Sequence, residues 1–220
     1  MAERVTAPVT ATVSVTAASY RAFAAFVAVA LVGLVWSGIG PHDRLTWWLE
    51  VFPVVVALPL LGLTIRRFPL TWLCYVLIAM HAAILMLGAH YTYALVPLGF
   101  WLQELLDFAR NPYDRIGHLA QGFVPAIVAR ELLLRHTPLR RGGWLFTLVA
   151  ASCLAISACY EFLEWWAAII GGGSAEAFLG TQGDVWDTLW DMFLALCGAI
   201  AAQLLLGRIH DRALAGLDSR

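Results

Sequence analysis

The 220-residue chain is 61% hydrophobic and 13% charged, with a mean hydropathy of +0.76 and a formal net charge of −1. A soluble domain carries about 25% charged residues, so a water-exposed globule is excluded and an integral membrane protein is indicated. A chain this close to neutral offers no electrostatic footprint for nucleic acid, and the bilayer is the expected partner.

Residues 1–19 hold Ala, Val, Thr and Ser with one arginine, Arg4, and read as a flexible tail. An apolar run over 20–39 is too long for a signal-peptide core and ends in WSGIG without a small-residue cleavage site, so it reads as a first uncleaved span. Trp47 and Trp48 mark an interface ahead of a second span to about Ile65, interrupted by Glu50, Pro53 and Pro59. A third span covers Leu70–Ala89, with His81 as a hydrogen-bonded packing residue. The long connection 90–115 contains an amphipathic piece, Leu98–Phe108, with Trp101, Leu102, Leu105 and Phe108 along one side. It predicts a short interfacial helix, with Glu104 and Asp107 on its wet face.

Asn111-Pro112 signals a turn before a fourth span over about Tyr113–Leu134, where Arg130 and Glu131 are placed to snorkel at the far end. Trp144–Ile170 is the fifth span and Gly171–Gly183 a glycine-rich loop carrying Glu176 as a solvated charge. The sixth span runs from Asp184 to Gly207, where Gly198 and Ala202 form a small-xxx-small step for helix packing, and a 208–220 tail follows. Cys74, Cys153, Cys159 and Cys197 sit in apolar runs without metal-ligand spacing and read as structural thiols.

The expectation is therefore an all-α polytopic transmembrane bundle of about six spans over 20–207, with a short interfacial helix before the fourth. Arg4, Arg21, Arg66, Arg67, Arg135, Arg140, Arg141 and the C-terminal arginines fall on one side, and only Arg44, Arg110 and Arg115 on the other. The positive-inside rule then places both tails in the cytoplasm and the 40–47, 90–115 and 170–184 loops outside.

Three polar clusters fall on that outer side. Asp114, His118 and Gln121 form an i, i+4, i+7 row. Ser157, Glu161 and Glu164 share a face of the fifth span, with Tyr160 beside them. Asp184, Asp187 and Asp191 open the sixth span, with Asp184 read as an N-cap and Asp187 as a favourable first-turn charge. Six carboxylates cannot share a poorly hydrated pocket as bare anions. Arg115 neutralises one, with Glu161 a candidate partner, and a divalent cation is the economical solution for two more. Oxygen-rich ligation suits Mg²⁺, Ca²⁺ or Mn²⁺, and His118 admits Mn²⁺, Zn²⁺ or Fe²⁺. The expected metal ligands are Asp114, His118, Glu161, Asp187 and Asp191, and the expected acid–base groups Asp114, His118, Glu161 and Glu164.

At YDRIGHLAQGF, YEFLEWW and FLGTQGDVWDTLWDM the chain resembles the YjdF-type bacterial inner-membrane proteins, a family of unknown function. It is more distantly similar to VanZ-like membrane proteins, which carry an Asp-Lys-x-x-His-Phe start, a glutamate on the next span and an Asp-x-x-x-Asn step. Here Asp114-Arg115-Ile116-Gly117-His118-Leu119 has Arg for Lys and Leu for Phe, Glu161 or Glu164 matches the glutamate, and Asp191 replaces the Asn. The resemblance implies a bacterial inner membrane, a link to the cell envelope and a shared polar site. The functional expectation is an outward-facing carboxylate–histidine site handling an envelope lipid or lipid-linked head group. An ion- or proton-coupled transporter and a non-catalytic structural membrane protein are the alternatives. The transporter is disfavoured by the few polar residues expected in the inner halves of the spans.

Overall fold

The computed structural model describes residues 16–171 and 181–218. The tail over 1–15 and the loop over 172–180, with Glu176, lie outside the described residues. Among the described residues seven α-helices follow in order: α1 (Ala17–Gly38), α2 (Arg44–Thr64), α3 (Trp72–Tyr91), α4 (Pro97–Leu106), α5 (Tyr113–His136), α6 (Gly143–Gly171) and α7 (Asp187–Asp218). A short 3₁₀ turn, Tyr93–Leu95, joins α3 to α4.

Local chemistry sets the ends. The Thr16 hydroxyl accepts the Ser19 N–H at the start of α1, and the Asp43 carboxylate accepts the Thr46 N–H at 2.7 Å at the start of α2. Asn111 accepts the Tyr113 N–H ahead of α5 and donates its amide to the Val96 carbonyl, tying the α4 entry to the α5 start. The residue that precedes α3 is held from another helix: the N–H of Thr71 donates to Glu131 of α5.

Five helices, α1, α2, α3, α6 and α7, are long and apolar enough to cross a membrane. The sequence reading expected six. The difference is α5, which at 24 residues is about 36 Å long but carries Asp114, Arg115, Arg130, Glu131 and Arg135. α4 is the short, non-spanning helix expected before α5, with Leu98, Phe100, Trp101 and Leu105 exposed on it. α7 does not stop near Gly207 but continues as helix to Asp218, so Arg208 and Arg212 ride on it.

The most extensive interface is that between α5 and α7, which run parallel with α6 alongside both. Glycine makes it so close. A β-carbon on Gly122 would lie 1.7 Å from the Ala195 carbonyl oxygen, and one on Gly198 would lie 2.1 Å from that of Leu119. Ala199 and Ala202 are fully buried below them. The small-xxx-small step thus packs inside the bundle. On the other flank α3 packs on α1, α2 and α5, with Tyr75, Cys74 and Ile127 in one apolar core and Phe26, Val51 and Met86 in a second.

Candidate metal and acid–base site

The glycine-to-backbone contact fixes what happens two turns higher. With α5 and α7 in van der Waals contact, Asp114 and His118 of α5 face Asp191 of α7, and Glu161 and Glu164 of α6 close the third side. All five are buried. The ligand atoms of Asp114, His118 and Asp191 lie within 4.8 Å of one another, and so do those of His118, Glu161 and Glu164.

His118 is the shared member, and its neighbours fix its tautomer. Its Nδ1 lies 2.9 Å from the Gln121 Oε1. A carbonyl oxygen only accepts, so Nδ1 carries the proton. Nε2 then faces two carboxylates, 3.5 Å from Asp114 Oδ1 and 3.8 Å from Asp191 Oδ2. Both separations are too long for a good hydrogen bond, and a lone pair facing two anions is repulsive. A proton or a cation belongs there: a second ring proton, a carboxyl proton donated to Nε2, or a metal cation. An imidazole held through its other nitrogen by an oxygen acceptor is the usual posture of a metal-binding histidine.

The carboxylates are under-satisfied in the same region. Asp114 Oδ2, Glu161 Oε1, Asp191 Oδ1 and the Ser157 hydroxyl are buried with no hydrogen-bond partner among the described residues. Each such atom costs about 1–3 kcal/mol, and three on facing carboxylates form a ready set of oxygen donors for a hard cation.

The remaining aspartates of the row do other work. Asp187 is buried and ion-paired with Arg110, which also donates to the Thr181 carbonyl at 2.6 Å. Asp187 belongs to neither of the two donor trios. Asp184 lies ahead of α7, not at its cap: its carboxylate accepts the Trp186 N–H and pairs with Arg115 at 3.1 Å. Arg115 therefore serves Asp184 rather than Glu161. Gln182 and Asn111 exchange two hydrogen bonds, so the turn before α7 is pinned to the turn before α5 over the site.

A cavity of about 240 Å³ adjoins the cluster. Asp114, His118, Gln121 and Glu164 line it with Tyr160, joined by two residues that the sequence reading did not assign to the site: Glu50 and His81. Glu50 is buried and 3.4 Å from the Tyr160 hydroxyl, which donates to it. Its signal was a lone acid inside an apolar span. His81 is not the hydrogen-bonded packing residue expected, because its Nε2 is buried without a partner among the described residues.

A second polar node occupies the other end of α5 and α7. Glu131 is fully buried, not snorkelling. It accepts from Thr71, from Cys74 at 3.2 Å and from His210 at 3.1 Å, and pairs with Arg135 at 2.7 Å. Arg130, also buried, donates to His210 Nδ1 and to Asp211. Cys74, Glu131 and His210 have metal-ligand spacing, but every oxygen of Glu131 is already engaged. The expectation of few polar residues toward this end of the helices is thereby corrected, and Cys74 belongs to a polar node rather than to apolar packing alone.

The family described as "Predicted membrane protein (DUF2238)" matches residues 22–212 of the chain. The chain is 54% identical to the inner membrane protein YjdF of Escherichia coli (strain K12) over 181 residues, covering 82% of this chain and 87% of that protein. No solved structure matches it. With the matched region running from within α1 to within α7 and including both polar nodes, the chain belongs to the YjdF-type family of bacterial inner-membrane proteins.

Proposed function

We propose that the protein is a multi-pass inner-membrane protein whose outward-facing intramembrane site binds a divalent cation and acts on the head group of an envelope lipid. The observation that carries the cation is the set of unpartnered, buried oxygens on Asp114, Glu161 and Asp191 around a histidine whose free nitrogen faces two of those carboxylates. Asp114, His118 and Asp191 hold the ion. Glu161 and Glu164, on the Nδ1 side of the ring, supply a second donor pair or the acid and base. Asp187 acts as an orienter through Arg110. When bound, the cation supplies Lewis-acid polarisation of a phosphoryl or hydroxyl oxygen.

The outward orientation rests on the arginine-rich turns lying at the opposite end of α5 and α7 from the carboxylates, by the positive-inside rule. It takes α5 as a sixth span and puts both chain ends in the cytoplasm. Titration of the purified protein with Mn²⁺, followed by electron paramagnetic resonance, tests the cation. Saturable binding that disappears in Asp114→Asn and Asp191→Asn is expected. Equal signals from bound Mn²⁺ in all three proteins would overturn the assignment.

A second reading is favoured by the node at Glu131. Buried ionisable groups at both ends of the same helix pair are the raw material of a proton- or ion-coupled carrier. Proton or cation flux in proteoliposomes tests it, and a flux abolished by Glu131→Gln and by Asp191→Asn together would establish it over the catalytic reading.

A further inference from the structure

The cavity beside the carboxylates has an apolar neighbour. A second cavity of about 210 Å³ shares Pro53, His81, Leu85 and Pro125 with it as common walls. Beyond that neck the character changes completely. The second cavity is walled by Phe26, Val54, Ala57, Leu61, Ile78 and Val128, and His81 is its only polar lining residue. Its volume is many times what one water needs, and its apolar lining offers a water no hydrogen-bond partner besides His81.

Its position explains why it exists. α2 packs on α1 and α3 but makes no extended contact with α5, which leaves a gap along the middle of α2. Prolines stand on both walls of the neck, Pro53 on α2 and Pro125 on α5, each without an N–H to donate. The gap runs along α2, one of the helices long and apolar enough to cross a membrane.

We propose that the site opens sideways into the bilayer through this gap, and that the slot holds an acyl chain of a membrane glycerolipid whose polar head lies at the carboxylates. The occupant follows from the polarity of the two adjoining spaces: one end takes a hydrophilic head, the other a hydrocarbon chain. His81 stands at the junction with an unpartnered, buried Nε2, placed to meet the ester region between head and chain. The inference rests on the reading of the polar cavity as a head-group site and adds the lipid's orientation and its route of entry.

The test uses the full chain in nanodiscs containing phosphatidylethanolamine with a diazirine in its acyl chain, with cross-linked residues mapped by mass spectrometry. Labelling concentrated on Ala57, Leu61, Ile78 and Val128 is expected. Filling the slot with Ala57→Trp or, separately, Val128→Phe should lower that labelling about tenfold, roughly the effect of denying two methylenes their burial. Mn²⁺ binding at the carboxylates is measured on the same samples, so loss of the ion reading and loss of the slot are separate results. Labelling spread evenly over outward-facing Val32, Val35 and Leu63, with none in the slot of the unsubstituted protein, would overturn the proposal whatever the variants do.

Discussion

Replacing Gly198 by alanine tests whether the α5–α7 contact positions the site. The added β-carbon would lie 2.1 Å from the Leu119 carbonyl oxygen and 2.8 Å from the Phe123 nitrogen. Both are backbone atoms, so no side chain can swing away. Ordinary contact begins near 3.4 Å, and α7 must therefore retreat from α5 by roughly 1.3 Å. Asp191 lies seven residues earlier on α7, two turns or about 10 Å up the same face. The same retreat there takes Asp191 out of reach of an ion held by Asp114 and His118. Overpacking of this kind costs about 1–3 kcal/mol. The assay is thermal unfolding in a single detergent, paired with Mn²⁺ titration: the midpoint should fall and Mn²⁺ binding should weaken together. Gly122→Ala, whose β-carbon meets the Ala195 oxygen at 1.7 Å, should behave the same way. A Gly198→Ala protein with unchanged midpoint and unchanged Mn²⁺ affinity would refute the reasoning.

Gln121→Leu removes the acceptor that holds the His118 proton on Nδ1; such a partner is worth about 10–100-fold in metal affinity, read by the same titration, and an unchanged affinity would remove Gln121 from the site. Glu131→Gln leaves the Arg135 guanidinium without its buried counter-charge and should destabilise the protein by about 3 kcal/mol, measured by denaturant unfolding in mixed micelles; a loss below experimental error would show the node to be dispensable. Asp43→Ala should cost about 1 kcal/mol as a lost helix cap. The Thr46 N–H holds the Asp43 carboxyl below its ordinary value of 3.8. The folded state therefore binds its proton less readily than the unfolded one, and the cap's contribution is present above that pH and lost as the pH falls through the folded value. The wild-type–variant gap in stability should shrink accordingly under acid, and a pH-independent gap would exclude the carboxylate as its source.

The helices, their order and the short piece before α5 were legible because each apolar run exceeds a bilayer's thickness and is bounded by turn signals. Asp114, His118, Glu161, Glu164 and Asp191 were legible because charge in an apolar setting is costly and each falls on one helix face. The rest depended on contacts that no linear pattern encodes. Glu50 is separated from Tyr160 by 110 positions and shows its role only when the fold brings both to the walls of one cavity. Glu131 looked like a charge near a helix end, yet its carboxylate holds Thr71, the residue that precedes α3, from across the bundle, 60 residues away. Arg115 was free to pair with Glu161 on paper, and the turn before α7 brought Asp184 to it instead. The length of α7 past Gly207 follows from Leu214 and Leu217, which are buried and keep the helix docked after its arginines begin.

The central claim is that Asp114, His118 and Asp191 form one cation site. Anomalous diffraction from crystals of the protein grown with Mn²⁺ tests it most directly. The account predicts a peak about 2.0–2.3 Å from the His118 Nε2 and from a carboxylate oxygen of both Asp114 and Asp191. A peak at Cys74, Glu131 and His210 with none at His118, or no bound Mn²⁺ at either place, would contradict it.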